Sequence, residues 1–323
     1  MKDVIIIGAG PVGLYAAYYC GFQKLDAIVL EALSFDGGQL SNLYRDKLVY
    51  DLPGFKEITA GDFVERLEEQ YSQFEKEIPI HYEEAVLDIE KESNHFKITT
   101  NKTSYKTRTI LVCSGGGEFK PRKLNIPGSE NFTNIHYTAN IDEYVEKEVA
   151  IFGGGDSAVD FSLMINEKAK KTTIVHRRDE FRAHAHSIDV LKESSVNILT
   201  PYEVKNIEGQ GEKAETFTLK EATSDNTIQL KADYFFVNFG FLPSSANYEK
   251  WGLDATKDGI NVQSDTTTSV PGIFAAGNCA VYEGKIKTIA VGLGEVPKAI
   301  TSIKRYLNPG KIVGTVYSSA QKK

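Results

Sequence analysis

Apolar residues along this chain gather in short unbroken runs and short alternating runs, with few helical stripes. Val4-Ile5-Ile6-Ile7 is a run of the kind shown by a strand buried on both faces, and Ala27-Ile28-Val29-Leu30 and Val149-Ala150-Ile151-Phe152 repeat it. A helix is predicted through Leu14-Tyr15-Ala16-Ala17, another over 159–168, and a further strand at Thr172-Thr173-Ile174-Val175. From 80 to 113 the texture changes to short β segments at 85–89, 96–100, 104–106 and 109–113, with Asn101-Lys102 as a hairpin turn. Segments 203–207, 216–219, 228–232 and 234–238 read the same way. Thr59-x-x-Asp62 resembles a capping box, and Phe63, Leu67, Tyr71 and Phe74 follow at helical spacing as a core-facing stripe. A last helix is expected over 291–306. Gly37 to Tyr44 and Tyr50 to Phe55 read as unusually aromatic loops, which either line a nearby site or plug the core.

Two of the apolar runs lead straight into glycine turns. Gly8-Ala9-Gly10-Pro11-Val12-Gly13 follows the first without a spacer, which is G-x-G-x-x-G between a strand and a helix. In that setting Gly8 allows the turn, Gly10 lets backbone N–H groups approach a pyrophosphate, and Gly13 lets the helix close on the sheet. Pro11 suits a first helical turn. The next strand ends on Glu31, at the spacing where a carboxylate meets ribose hydroxyls. A glycine-rich turn in some other α/β protein is the bland alternative.

The second turn, Gly153-Gly154-Gly155-Asp156-Ser157-Ala158, is G-x-G-x-x-A. Its following strand ends not on an acid but on His176-Arg177-Arg178, with Arg182 beyond. Guanidinium groups there offer paired donors to a 2′-phosphate, so this site is expected to prefer NADPH to NADH; a solvated basic turn is the alternative.

Length and composition narrow the picture. A chain of 323 residues is long for one core and suits two domains. With 41% hydrophobic and 25% charged residues it has a soluble globular composition, and its formal charge of -7 argues against nucleic-acid binding. Cys20, Cys113 and Cys279 form no C-x-x-C pair, which points to a reducing cytoplasm. No segment reads as a membrane span, and the N-terminal apolar run is too short for a signal sequence. Gly115-Gly116-Gly117 and Gly240-Phe241-Leu242-Pro243 are the natural boundaries.

Two glycine fingerprints, one closed by an acid and one by arginines, resemble the flavoprotein reductases with two dinucleotide-binding domains. Gly272-Ile273-Phe274-Ala275-Ala276-Gly277-Asn278 resembles that family's second flavin motif, and Gly37-Gly38-Gln39-Leu40 with His176-Arg177-Arg178 resembles its thioredoxin-reductase-like branch. That branch carries C-x-x-C where this chain has Tyr137-Thr138-Ala139-Asn140, so a dithiol relay is not expected. Tyr50-Asp51, Phe119-Lys120-Pro121-Arg122, Arg182-Ala183-His184, Asn238-Phe239-Gly240 and Tyr282-Glu283-Gly284-Lys285 are similar to the ferredoxin/flavodoxin-NADP reductase subgroup over essentially the whole length.

The resemblance implies an α/β fold of two Rossmann-like domains of the three-layer ββα sandwich type. The FAD-binding domain would be discontinuous, at 1–115 and 242–323, around an NADPH-binding domain at 116–241. It implies FAD on Gly8, Gly10, Pro11, Gly13, Glu31, Gln39, Tyr44, Val86, Phe119, Asn278 and Ser319, with Tyr44 stacking on the flavin and Tyr317 of a partner subunit covering its other face. NADPH would use Gly153, Gly155, Asp156, Ser157, Ala158, Arg177, Arg178 and Arg182. Asn278 departs from the Asp that usually ends the second flavin motif, and accepts a hydrogen bond without a charge. Cys113 is read as a buried, inert thiol.

The expected reaction moves hydride from NADPH to the flavin and then single electrons to ferredoxin or flavodoxin, reversibly in principle, with no side chain acting as acid or base. The expected assembly is a cytoplasmic homodimer in which Tyr317 must move before hydride transfer. Ferric chelates or a haem-degrading partner are alternative acceptors; disulfide reduction by the distant cysteines, or a non-turnover sensor module binding FAD and NADPH, are the other readings. Lys120, Arg122 and Lys123 either dock an acidic carrier or belong to a solvated loop, and His184-x-His186 lacks a third metal ligand nearby.

Overall fold

The computed structural model describes residues 1–116, 120–138, 141–242 and 246–311, and the chain divides into two compact units, 1–118 with 243–323 and 119–242. In the first, discontinuous unit, strand Lys2–Ile7 lies between Ala27–Leu30 and Ser104–Val112 and runs parallel to both, with Ile7 opposite Leu30 and Val112. Ile80–His81 and Ile273–Ala275 extend the parallel sheet on its two sides. Strand order therefore reverses at Lys2–Ile7, and a doubly wound sheet opens its ligand crevice at such a point, beyond the carboxyl ends of the strands.

Segments 104–106 and 109–113, separate by their polarity pattern, are one strand, Ser104–Val112. Its first half pairs antiparallel with Phe96–Thr100, and its second half runs parallel beside Lys2–Ile7. The polar stretch Thr107-Arg108-Thr109 reads as a break but is satisfied inside the sheet. Thr107 and Thr109 donate to the Thr109 and Asp3 carbonyls at 2.8 and 2.7 Å. Arg108 bonds Asp3 at 3.2 Å and the Leu307 carbonyl at 3.0 Å, which closes the end of the last helix.

Helices Pro11–Phe22, Ala60–Tyr71 and Ile289–Leu307 share one face of this sheet, where Leu14, Ala17, Leu67, Val296, Ile300 and Ile303 meet Val4, Ile6 and Val29. The Thr59 hydroxyl accepts the Asp62 N–H at 3.0 Å, so the capping signal starts its helix where expected. That helix stops at Tyr71; Phe74 sits on a following 3₁₀ turn and still packs its ring 5.7 Å from that of Tyr18.

The second unit has a five-stranded parallel sheet in the order Ile135–His136, Tyr234–Val237, Glu148–Phe152, Lys171–Val175, Asn197–Leu199. A three-stranded antiparallel meander, Tyr202–Gln210, Lys213–Glu221 and Thr227–Lys231, covers one face, and helices Asp156–Asn166 and Ala185–Glu193 cover the other. Order reverses again at Glu148–Phe152, which ends on Gly153. The meander is held by an aromatic stack: Phe217 lies 3.9 Å from Phe235 and 5.0 Å from Phe152, centroid to centroid, and all three are buried. Phe217→Ala is expected to cost the second unit about 3–5 kcal/mol. Urea unfolding of the full chain, followed by circular dichroism, should show an early transition absent from the native protein.

Candidate functional site

In the first unit the glycine turn leaves no room for side chains. A Cβ on Gly13 would lie 1.9 Å from the Gly8 carbonyl oxygen, so only glycine lets helix Pro11–Phe22 start against its own strand. The helix has Gly10 at its N-cap with no side chain capping it, leaving first-turn N–H groups for an anion. Glu31, buried at the end of the next strand, accepts the Ala9 N–H at 2.6 Å on one oxygen and the Leu33 N–H at 2.8 Å on the other. A carboxylate has about four lone-pair directions, so acceptor capacity is left for a ribose hydroxyl. Burial pushes the Glu31 pKa up, against the hydrogen bonds from Leu33, Ala9 and Ala32, which lower it.

Gly37 through Tyr44, expected as a loop, contains a short helix, Gln39–Leu43. It is tied to the glycine turn through Gly37, whose N–H donates to the Ala9 carbonyl at 2.9 Å. Gln39 and Tyr44 are half-buried, with the Tyr44 hydroxyl 3.5 Å from the Gln39 amide oxygen. Val86 is buried, and Asn278 lies partly buried on the 3₁₀ turn Gly277–Cys279, where its side chain makes no hydrogen bond within the described residues. Phe119, Tyr317 and Ser319 lie outside the described residues, as do Ala139 and Asn140.

The second unit repeats the turn with opposite charge. Helix Asp156–Asn166 starts at Gly155, again with no side-chain cap, so Ser157 and Ala158 sit in an open first turn. The arginine loop is sewn to this turn: Arg182 donates its N–H to the Gly154 carbonyl at 2.7 Å, and His184 donates its N–H to the Asp156 carboxylate at 2.8 Å. The His176 ring fills the space beside Gly154, where a Cβ would approach it to 2.2 Å, and stacks on Phe181 at 5.3 Å. Arg177, Arg178 and Arg182 are all exposed, and within the described residues no carboxylate pairs with them. A phosphate at the end of this strand would therefore meet uncommitted guanidinium groups.

Helix Ala185–Glu193 was not signalled by the apolar pattern, because Leu191 is its one fully buried side chain. His184 and His186 stand at its start, and no group of three or more potential metal ligands gathers among the described residues. Arg122 and Lys123 are exposed just after strand Lys120–Pro121. All three cysteines are free and buried, and burial raises each thiol, Cys279 to about 11. None is a thiolate near neutral pH. No helix among the described residues is long and apolar enough to cross a membrane.

Comparison with known proteins accounts for this paired arrangement. The chain matches the family described as pyridine nucleotide-disulphide oxidoreductase over residues 2–301. The chain belongs to that family. This family member is 43% identical over 321 residues to the Ferredoxin--NADP reductase of Streptococcus pneumoniae, covering 99% of each chain. It is 44% identical over 313 residues to Ferredoxin--NADP reductase 2 of Shouchella clausii, covering 96% of this chain and 94% of the relative. Among solved structures it resembles Lactococcus lactis thioredoxin reductase, with a TM-score of 0.81 at 25% identity over 95% of this chain and 99% of that one. The T. acidophilum thioredoxin reductase shares the fold at the same TM-score, 0.81, over 95% of this chain and 98% of that one.

Burial lowers the His176 pKa; a hydrogen bond with the Glu180 backbone opposes this, and Arg177, Arg178 and Arg182 lower it further. With a depressed folded-state pKa, this ring stabilises the fold above its ordinary value of about 6.5, and the benefit fades as pH falls through the folded pKa. His176→Phe keeps the stacked ring but cannot titrate. Between about pH 7.5 and pH 5, its melting temperature should fall less than that of the native chain. Parallel pH profiles would refute the effect.

Proposed function

We propose that this chain is an FAD-dependent NADPH oxidoreductase of the ferredoxin-NADP reductase kind. The observation that carries the reading is that a strand, glycine turn, helix and second strand recur in both units, followed by buried Glu31 in one and by exposed Arg177, Arg178 and Arg182 in the other. The first fits FAD, whose adenosine ribose has free hydroxyls for the Glu31 carboxylate. The first-turn N–H groups after Gly10 and Pro11 take the pyrophosphate, Gln39 and Tyr44 line the flavin, and Asn278 accepts from the ribityl chain through its amide oxygen. Val86 extends the surface along the cofactor. The second fits NADPH: Gly153, Gly155, Ser157 and Ala158 bring backbone to the pyrophosphate, Asp156 holds the arginine loop through His184, and the guanidinium groups take the 2′-phosphate.

Bound flavin supplies the exchange between a two-electron hydride donor and one-electron acceptors. The side chains bind, orient and shield. The buried, protonated thiols support an acceptor other than a disulfide handled by this chain, and the names of the relatives support ferredoxin. The homodimer, and the roles of Phe119, Tyr317 and Ser319, rest on resemblance.

Losing a charge-assisted pair to a phosphate costs about 1.5–3 kcal/mol, or roughly ten- to a hundred-fold in binding. Arg177→Ala, Arg178→Ala and Arg182→Ala should therefore each raise KM for NADPH by about that factor and leave NADH kinetics unchanged. Equal effects on both nucleotides would sink the 2′-phosphate assignment. Replacing Cys20, Cys113 and Cys279 together with Ser should leave NADPH-dependent ferredoxin reduction within about two-fold of native, allowing for about 1 kcal/mol of packing change. Loss of turnover in a folded, yellow triple variant would restore a thiol mechanism.

A further inference from the structure

Glu295 is a buried carboxylate in the helix Ile289–Leu307, only 2% exposed, and the roles assigned above leave it without one. Its Oε2 accepts the Gly277 N–H at 2.7 Å; its Oε1 accepts the Tyr282 hydroxyl at 2.7 Å and the Lys285 ammonium. The Lys285 side chain is itself 3% exposed. A buried ion pair stabilises little on balance, because both charges lose their water. What this one does is local. One oxygen grips the start of the turn after strand Ile273–Ala275, and the other grips its end, before Thr288 caps the long helix. Gly277 immediately precedes Asn278. The same turn lies against the first glycine motif, since a Cβ on Gly277 would come within 3.1 Å of Val12.

We propose that Glu295 is a positioning residue for the flavin site: its bond to the Gly277 N–H sets the turn that presents Asn278 to the ribityl chain, and the Lys285 ammonium holds the carboxylate in place from its other oxygen. This rests on the FAD reading above. It separates hydrogen-bond geometry from charge. The acceptor at Gly277 matters, and the two charges serve only to hold it there.

Two charge-free pairs of similar shape test it in the full-length chain. Glu295→Gln with Lys285→Met keeps an amide oxygen for the Gly277 N–H; Glu295→Met with Lys285→Met leaves that donor buried without a partner. The readouts are the FAD dissociation constant of the apoprotein, from flavin fluorescence, and the apoprotein melting temperature. The Gln pair should hold FAD within about three-fold of native, and the Met pair should lose about thirty-fold, at melting temperatures within a few degrees of each other. In an Asn278→Ala background the two pairs should bind FAD alike, because the turn then presents nothing to the cofactor. Equal affinities of the two pairs when Asn278 is intact, or a difference that persists in the Asn278→Ala background, overturn the assignment. If the Met pair does not fold, the Gln pair decides alone: a loss well beyond three-fold overturns it. A native chain that takes up no FAD overturns the flavin reading and this one together; a native chain that binds FAD leaves the comparison to judge Glu295 alone.

Discussion

Gly13 packs against the Gly8 carbonyl with no room for a side chain, and the nucleotide site of the first unit depends on that contact. A single methyl group there would sit inside van der Waals contact, and the neighbouring atoms are backbone, which does not yield cheaply. Holding the helix this tightly to the strand puts its uncapped N–H groups at the carboxyl edge of the sheet, at the reversal of strand order. Much of the rest of the unit braces that contact. Gly37 bonds back to Ala9, Glu31 bonds forward to Ala9, and the last helix packs its Val296 and Ile300 into the core shared with Leu14.

The second unit reuses the scaffold and changes its charge. Glu31 is buried and bonded to the Ala9 and Leu33 N–H groups, so it would meet neutral hydroxyls at little cost but would repel a phosphate. The guanidinium groups of Arg177, Arg178 and Arg182 stay in water and free of carboxylates within the described residues, so they lose little by turning to a dianion. His176 links the two parts of this site. Its ring occupies the volume a side chain at Gly154 would claim, burial beside three cations lowers its pKa, and the Arg182 and His184 N–H bonds to Gly154 and Asp156 tie the arginine loop to the glycine turn.

Sequence pattern reveals features that depend on neighbours along the chain and conceals those that depend on neighbours in space. Both glycine turns, Glu31, the arginine cluster and the Thr59 cap are local, and each is legible. The strand Ser104–Val112 is not, because Thr107 and Thr109 are buried only by virtue of carbonyls across the sheet or two residues on. Helix Ala185–Glu193 hides for the opposite reason: it buries too little apolar surface to print a period. Gln39–Leu43 is too short to show one. Glu295 and Lys285 lie ten positions apart, one inside the expected last helix and the other at the end of Tyr282-Glu283-Gly284-Lys285, and nothing local in either stretch marks them as a buried pair.

Placing the redox chemistry on a cofactor explains how a member of a family named for disulphides dispenses with reactive thiols. A cysteine relay needs two sulfurs in reach of each other and at least one ionised near neutral pH. Cys20, Cys113 and Cys279 are instead packed into the core of the first unit, and the Cys279 thiol is spent on the Val112 and Ala276 carbonyls at 3.3 and 3.2 Å. In that environment a thiolate would lack water, and burial outweighs the nearby Lys285 ammonium at Cys279, so burial that stabilises the sheet also removes the competing chemistry. A flavin held in this unit would therefore find none of the three thiols ready to take its electrons, which is the physical ground for reading the acceptor as a separate molecule.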